Sequence, residues 1–411
     1  MQLRLTVQRR LRSGRAVYLL LVLCGVWMFL SLRPPRGFFL TRGGRTDTEM
    51  ATGPSNATLG FGGIYVVSKQ GSTRRKALVQ AANVTELQLS IPTQPVWTDD
   101  DQRNFRLAQN STISRGSLLA WLGHMHALRR FLDSGAETAL ILEDDVDWDI
   151  RLRTTQAPLV STAMRNVLGG RAAAASTVDD DDDAQRYPYG SPARWDLLYL
   201  GHCGDYWHGM DVAFVDGHVK PQDLEATPHV AFSDPSMPRL DDLHPFTASL
   251  LRNLGVGEST RLVHRSVFPL CTFGYAVSRG GALRLLELGG REPAGRGHKA
   301  YDVLILHACR REGEGDGDGD GDGLRCWTTN PELFHHVPGP SIIDGEDGGK
   351  GLPPVDRAAR GQIEARGETP NIDCGFWGGA FGFDDDDAAR LDWLRREVGR
   401  KGRCVKPARD P

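Results

Sequence analysis

The feature that most constrains this chain is a short apolar run that ends in a cluster of acidic residues. Residues 139–142 are apolar, and five carboxylates follow within the seven residues from Glu143 to Asp149. Such a run is typical of a strand that is covered on both faces, as in parallel α/β sheets. Open α/β sheets bind their ligands just beyond the carboxyl ends of their strands. The acids are therefore expected at a ligand-binding edge of the sheet.

The spacing of these acids indicates a metal site. In a chain that stays extended, alternation places Glu143, Asp145 and Asp147 on one side of the strand and Asp144 on the other. Carboxylates so close together raise one another's pKa unless a cation neutralises them. Oxygen ligands favour Mg²⁺, Mn²⁺ or Ca²⁺ over zinc. The alternative interpretation is a solvated, acidic exit from the strand.

The N-terminal part of the chain has the pattern of a membrane anchor. Five arginines within residues 1–15 precede an uninterrupted apolar stretch over residues 16–32, which is at the short end of the range for a spanning helix. The positive-inside rule keeps residues 1–15 in the cytosol and sends the rest into the lumen. We expect a single-pass type II protein of the Golgi or endoplasmic reticulum membrane, with a cleaved signal peptide as the alternative. Residues 33–62 are predicted to be a flexible stem.

Glycosylation motifs and cysteines agree with a luminal location. Acceptor motifs begin at Asn56, Asn83 and Asn110, all beyond the apolar stretch. Six of the seven cysteines also lie beyond it, and an oxidising lumen favours disulfides over buried free thiols. Cys309 and Cys326 bracket an insert, so we expect a disulfide between them.

Residues 63–345 alternate predicted strands and helices, which indicates an α/β domain. The predicted strands include residues 64–68, 195–201 and 301–306, and the predicted helices include residues 118–132 and 280–288. Aspartate-rich or glycine-rich inserts near residues 170–190 and 312–323 are predicted to be disordered. Residues 346–411 are predicted to be a peripheral extension. The net charge of −3 gives no overall basic field, so we expect no nucleic acid partner.

Polar residues near the first strand and the long helix extend the candidate site. Arg74 and Arg75 follow the first predicted strand at a turn into a helix, which suits an anion, although a solvated helix face is the alternative. His124 lies just off the apolar stripe of the helix at residues 118–132. It is either an ordinary helix histidine or a residue that faces a ligand.

Four short motifs follow one another along the chain. They comprise residues 118–128, with Trp121-Leu122-Gly123-His124, residues 140–146, residues 195–201 and residues 272–282. Their order resembles that seen in glycosyltransferase family 25, which contains bacterial lipooligosaccharide galactosyltransferases and animal collagen galactosyltransferases. The resemblance covers about residues 62–345, and the long inserts and anchor are most similar to those of fungal members.

The resemblance implies a GT-A-like nucleotide-sugar-binding fold and a divalent ion, Mn²⁺ or Mg²⁺, held through the acidic motif. It further implies transfer of a sugar, with galactose favoured, from a UDP-sugar to a glycan or glycoprotein acceptor, with inversion at the sugar carbon. Inversion needs a base within reach of the acceptor hydroxyl.

The candidate residues follow from these expectations. The expected metal ligands are Glu143, Asp145 and His336, with a core or surface histidine as the alternative for His336. Asp145 and Asp302 are the catalytic candidates; Asp302 is taken as the base at the end of a predicted strand, with helix capping or a surface charge as the alternative. The residues expected to bind the donor are Val66, Ser68, Arg74, His124, Glu143 and Asp144.

Two other functions remain as alternatives. A luminal calcium-binding interaction protein would use the aspartate runs as low-affinity sites. A glycoside hydrolase would use two carboxyl groups about 5 to 9.5 Å apart on either side of the scissile bond, which adjacent acids suit poorly.

Overall fold

The computed structural model describes residues 53–106, 111–169, 185–207, 219–293, 298–311, 323–337 and 367–406. Its centre is an eight-stranded mixed sheet with helices on both faces, which confirms the predicted α/β class. The described strands are β1 (Ile64–Val67), β2 (Leu89–Ser90), β3 (Thr138–Glu143), β4 (Val146–Trp148), β5 (Leu197–Gly201), β6 (Gly204–Asp205), β7 (His229–Ser233), β8 (Thr260–Arg265), β9 (Pro269–Leu270), β10 (Gly274–Ser278), β11 (Cys326–Asn330) and β12 (Phe334–His336).

Strand β3, which carries the apolar run, lies inside the large sheet. The strand order is β2-β1-β3-β10-β5-β11-β8-β7. Strand β3 pairs parallel to β1 and antiparallel to β10. Two short strand pairs, β4 with β12 and β6 with β9, lie outside this sheet.

The helices cover both faces of the sheet. The described α-helices are α1 (Arg75–Thr85), α2 (Asp99–Phe105), α3 (Arg115–Asp133), α4 (Ala157–Gly169), α5 (Pro221–Ala226), α6 (Pro245–Asn253), α7 (Arg279–Gly289), α8 (Tyr301–Arg311) and α9 (Ala388–Leu394).

Successive side chains of β3 belong to two different buried clusters, one on each face of the sheet. Leu140 and Leu142 belong to a buried cluster with residues of α1 and α4, whereas Ala139 and Ile141 belong to a cluster with residues of α3, α7 and α8. Because successive side chains of a strand point to opposite faces, both faces of β3 are covered. The acidic residues at its end are thereby held on a rigid element.

An apolar stripe and an N-terminal cap explain why residues 115–133 form helix α3. Leu118, Leu122, Met125 and Leu128 recur at steps of three and four and are all buried. Ser114 caps the helix, since its side chain accepts a hydrogen bond from the backbone N–H of Ser117. This confirms the helix predicted at residues 118–132 and extends it by three residues at its N-terminal end.

The prediction of a strand at residues 301–306 is wrong, because these residues form the first part of helix α8. Tyr301, Leu304, Ile305 and Ala308 are all buried in the same cluster. Their steps of three, one and three form one face of a helix, and a short apolar run does not by itself separate a buried helix from a buried strand.

The C-terminal segment, residues 367–406, is part of the fold. Leu394 and Val398 are buried against Val84 of α1 and Ile150. Arg400 forms an ion pair of 2.5 Å with Glu86. The segment is therefore not the peripheral extension that we expected from its low apolar content.

Three disulfides are present in the described residues. The predicted bond between Cys309 and Cys326 is confirmed, and the other two bonds join Cys203 to Cys271 and Cys374 to Cys404.

The predicted N-terminal features fall mostly outside the described residues. The cytosolic residues 1–15, the anchor at residues 16–32 and the stem up to residue 52 lie outside them, as do most of the two inserts. Within the described ranges, no helix has both the length and the apolar character that a membrane span needs. Leu59 and Phe61 are buried in the main core, so the folded domain begins before the predicted boundary at residue 63.

Candidate active site

The acidic motif does not continue as an extended chain. Strand β3 ends at Glu143. The next two residues, Asp144 and Asp145, form a turn, and β4 begins at Val146 in a separate sheet. The expectation that Asp147 lies on the same side as Glu143 and Asp145 is therefore wrong. The turn breaks the alternation on which that expectation rested.

Arg74 bridges the two acids of the turn. Its guanidinium lies 2.9 Å from a carboxylate oxygen of Asp144 and 2.5 Å from one of Asp145. Ser68, at the end of β1, donates a hydrogen bond of 2.7 Å to the other oxygen of Asp144, and Arg75 in turn donates to Ser68. The predicted residues Ser68, Arg74, Asp144 and Asp145 thus form one connected group.

Asp145 keeps one carboxylate oxygen available. Among the described residues, its Oδ1 atom is buried and has no hydrogen-bond partner. Burial and the nearby charge of Glu143 raise the pKa of Asp145 to about 6, although Arg74 acts in the opposite direction. A buried carboxylate oxygen without a partner is costly, so a cation or a proton donor at this position would be stabilising.

His336 approaches the same edge from β12. It pairs with Val146 across the β4–β12 ladder, and the backbone N–H of the next residue, Val337, donates to the carbonyl of Asp145 over 2.7 Å. Burial and the charge of His335 lower the pKa of His336 to about 4, which keeps the imidazole neutral at physiological pH. Its Nδ1 atom is buried and unpartnered in the described structure, so a nitrogen donor is available.

Glu143 interacts with two side chains, those of Thr272 and His124. It accepts a hydrogen bond of 2.8 Å from Thr272, and its carboxylate lies 3.4 Å from Nε2 of His124. Burial raises the pKa of Glu143, but its interactions with His124 and Thr272 outweigh this effect, and the net pKa is lowered. His124 is itself buried, with its ring stacked on Tyr301 at 4.7 Å and its Nδ1 atom 3.3 Å from the hydroxyl of Tyr275.

The three predicted metal ligands differ in how well they fit a metal. In the ranges that the structure describes, no group of three or more His, Cys, Asp or Glu side chains is placed to hold an ion. Asp145 and His336 retain free donor atoms, whereas Glu143 is already hydrogen-bonded. Mg²⁺-type sites commonly use one or two protein carboxylates and complete their shell with substrate phosphates and water. The residues therefore fit a metal that arrives with a phosphate ligand rather than a preformed cage.

Two clefts meet at the acidic turn. The first, which we call the α1 cleft, has a volume of about 600 Å³ and lies between α1 and the C-terminal segment. The second, the α3 cleft, has a volume of about 510 Å³ and lies between the end of β1 and α3. Both clefts are lined by Lys69, Gln70, Arg74, Asp144 and Asp145.

The α3 cleft contains an unpaired amide. Within the described residues, both the oxygen and the nitrogen of the Gln94 side chain are buried without a hydrogen-bond partner. Gly123 of α3 leaves room there, since a side chain at this position would approach Val67 to 2.9 Å. Trp97 and Arg115 line the same cleft. The cleft therefore combines an aromatic ring, a cation and an amide that offers both a donor and an acceptor.

Three predicted residues, Val66, Asp302 and His336, line neither of the two clefts, although Val337, next to His336, lines the α1 cleft. Val66 is fully buried in the main core, and its neighbour Val67 lines the α3 cleft instead. Asp302 lies in the first turn of α8 rather than at a strand end, and it lines neither of the two clefts. Its carboxylate accepts hydrogen bonds from the backbone N–H groups of Cys271 and Val303, and burial raises its pKa. These contacts match the helix-capping alternative.

Asp147 holds the C-terminal segment. Its buried carboxylate accepts hydrogen bonds from the hydroxyl of Thr369 at 2.7 Å and from the backbone N–H groups of Phe376 at 2.7 Å and Trp377 at 3.0 Å. Sequence reasoning singled out Asp147 only as part of the acidic motif, and it did not single out Thr369, Phe376, Trp377, Gln94 or Trp97. The one signal was the Phe376-Trp377-Gly378-Gly379 stretch, which stands out in a tail of low apolar content.

No protein-family model matches this chain, and no curated protein sequence matches it significantly.

Proposed function

We propose that this protein is a metal-dependent, inverting glycosyltransferase of the family 25 type with a GT-A-like fold. It would move a sugar, with galactose favoured, from a UDP-sugar to a glycan or glycoprotein acceptor. The observation that carries this proposal is the meeting of two clefts at Asp144 and Asp145. A transferase needs two substrate sites that share one reacting centre.

The α3 cleft suits the nucleoside part of the donor. A nucleobase presents a flat face and a polar edge, and it is commonly held by stacking on an aromatic ring and by hydrogen bonds to that edge. Trp97 supplies such a ring, and the amide of Gln94 supplies unused hydrogen-bonding atoms. The diphosphate would extend toward Arg74 and Lys69, which line both clefts.

The acidic turn suits the leaving diphosphate. Asp145 and His336 would hold the divalent ion, with Glu143 behind them in its bonds to Thr272 and His124. A bound Mn²⁺ or Mg²⁺ supplies positive charge where negative charge builds on the departing phosphate oxygens. Arg74 adds a second, permanent positive charge to the same place.

The acceptor hydroxyl must lose a proton during transfer, and the base must lie within hydrogen-bond reach of it. Of the two predicted catalytic residues, Asp145 borders both clefts and Asp302 borders neither. We therefore retain Asp145 as the residue at the reacting centre. The contacts of Asp302 give no support to its role as the base.

The hydrolase alternative receives less support. The calcium-binding alternative depends on aspartate runs that lie mostly outside the described ranges, so it stays an alternative. The acids at the cleft junction are sequence neighbours held by one guanidinium, whereas a hydrolase needs two separate carboxyl groups on either side of a bond.

A donor screen tests the proposal. The full-length chain, purified in detergent, would be incubated with a panel of UDP-, GDP- and CDP-sugars, with Mn²⁺ or with EDTA, and nucleoside diphosphate release would be measured. We expect release from UDP-sugars that requires Mn²⁺ and rises when a glycan acceptor is added. Release of free sugar from glycosides without any nucleotide would instead indicate a hydrolase.

A further inference from the structure

We propose that the C-terminal segment forms the acceptor-binding wall of the α1 cleft and that it receives a pyranose carbohydrate on the ring of Trp377. This inference rests on the proposed transferase function and names the acceptor class. The segment lies outside residues 62–345, which carry the resemblance to family 25. The proposed role of the segment therefore rests only on contacts within this chain.

The two ends of the segment are joined to each other, and the segment is also tied to α1. The disulfide between Cys374 and Cys404 closes it, and a buried ion pair of 2.5 Å joins Glu368 to Lys406. Gln80 of α1 donates a hydrogen bond of 2.7 Å to the carbonyl of Phe383. The wall is consequently held in register with helix α1, which forms the other side of the cleft.

Asp147 positions the part of the segment that faces the acids. It binds the backbone of Phe376 and Trp377, and it packs so closely on Gly375 that any side chain at that position would collide with its carboxylate. Asp147 lies two residues after Asp145 in the chain. The turn that carries the reacting acid therefore leads directly into β4, which carries the residue that places the wall.

The two neighbouring aromatic residues have different surroundings. Phe376 packs against Phe381 at 5.4 Å and against Trp148 at 5.9 Å between ring centres, so it anchors the wall to the core. Both residues are partly buried and line the cleft, but the ring contacts with the core in the described residues are those of Phe376. Gly378 and Gly379 follow it in left-handed backbone conformations with open space around them, so the chain turns away there and leaves the indole accessible.

The loop between β1 and α1 adds polar groups to the cleft. Lys69, Gln70, Thr73 and Arg74 line it, beside apolar residues of α1, and Asp145 lies at the junction with the α3 cleft. A pyranose has one apolar face of C–H groups, which stack on the electron-rich face of an aromatic ring, and a rim of hydroxyls that need hydrogen-bond partners. A cleft with an aromatic residue on one side and a polar loop at its edge matches this division.

The size and position of the cleft agree with this occupant. Its volume of about 600 Å³ lies within the range of sites for small organic ligands and has room for at least one sugar ring. A ring stacked on Trp377 would lie in the same cleft as Asp145, which also lines the α3 cleft. The wall thereby orients the acceptor toward the donor in the α3 cleft.

The test compares two tryptophans of the same segment. Trp377→Ala removes the ring in the cleft, whereas Trp393→Ala removes a ring on α9 that does not line it and serves as the matched control. The full-length wild type and both variants would be applied to an array of neutral oligosaccharides and basic peptides, and UDP binding would be measured separately by calorimetry.

We expect wild type and Trp393→Ala to bind oligosaccharides, Trp377→Ala to bind them at least tenfold more weakly, and all three to bind UDP equally. Trp377→Phe should restore most of the lost glycan binding. Equal glycan binding by Trp377→Ala, or binding of basic peptides alone, would overturn the assignment of the acceptor wall. Failure of the wild type to bind UDP would instead count against the transferase proposal and would leave the glycan comparison interpretable on its own.

Discussion

Arg74 and Asp145 share an ion pair in which only one side of the carboxylate is used. The guanidinium lies 2.5 Å from Oδ2 of Asp145, while Oδ1 has no partner among the described residues. Neighbouring Asp144 uses both of its oxygens, one with Ser68 and one with Arg74. Asp145 is therefore the acid of the turn that can accept a further ligand without breaking an existing bond.

Removing the cation of this pair should reduce transfer. We expect Arg74→Ala to lower kcat/KM for the sugar nucleotide by about 10² to 10³, because a positive charge opposite the leaving phosphates is lost. Arg103→Ala is the control, since Arg103 forms an exposed ion pair with Asp100 on α2. Steady-state kinetics with varied donor would measure the effect, and a change of less than threefold in Arg74→Ala would contradict this role.

The pKa of Asp145 predicts a pH-dependent difference in stability. Its folded pKa is raised to about 6, so the folded state favours the protonated form, and the ionised form lowers stability as the pH rises through 6. In metal-free buffer, Asp145→Asn should therefore be more stable than wild type at pH 7, by roughly 3 kcal/mol.

Both the sign of this stability difference and the pH range over which it changes can be measured. The advantage of Asp145→Asn should shrink as the pH falls from 6 and disappear below the ordinary aspartate pKa of 3.8, where the wild-type carboxyl is protonated in both the folded and the unfolded state. Urea unfolding at several pH values in the presence of EDTA would measure it. An advantage that is constant with pH would show that the carboxyl is not strained by burial in the folded protein.

Loss of Asp147 should loosen the C-terminal segment. Asp147→Ala leaves three backbone N–H groups, those of Trp148, Phe376 and Trp377, and the hydroxyl of Thr369 without this acceptor, and each such buried group costs about 1 to 3 kcal/mol. We expect a lower melting temperature and faster proteolysis within residues 367–406. Asp373→Ala, which removes an exposed partner of Arg151, is the control for a general effect of losing an aspartate in this region.

Gln94 should contribute to binding of the nucleobase and not to binding of the phosphates. Gln94→Met keeps the length of the side chain but removes both amide atoms, and we expect UDP to bind roughly tenfold more weakly while inorganic pyrophosphate binds as before. Gln88→Met, at an exposed position, should change neither affinity. Calorimetric titrations would separate the two ligands, and parallel losses for UDP and pyrophosphate would place Gln94 outside the base site.

Local sequence pattern was sufficient for the central elements of the fold. The apolar run that forms β3, the stripe that forms α3 and the cysteines around the insert before β11 all gave correct expectations, because periodicity and spacing are properties of neighbouring residues. The acids after β3 were placed at a ligand-binding edge for the same reason.

The remaining parts depend on contacts between distant residues. Asp147 meets Trp377 across 230 positions of the chain, and no local pattern reveals such a bond. The turn at Asp144 and Asp145 was missed because an acidic run carries no glycine or proline to mark it. Helix α8 was missed because a short apolar run fits both a strand and a helix.

The most direct test of the account is whether Asp145 binds a divalent ion together with the nucleotide. Mn²⁺ would be titrated into the full-length chain in the presence of UDP, with free Mn²⁺ followed by electron paramagnetic resonance, for wild type, Asp145→Asn and the control Asp241→Asn, which alters an exposed residue paired with Arg252. The account predicts UDP-dependent Mn²⁺ binding by wild type and Asp241→Asn that is at least tenfold weaker in Asp145→Asn. Equal Mn²⁺ affinity in all three proteins, or no binding by any of them, would contradict it.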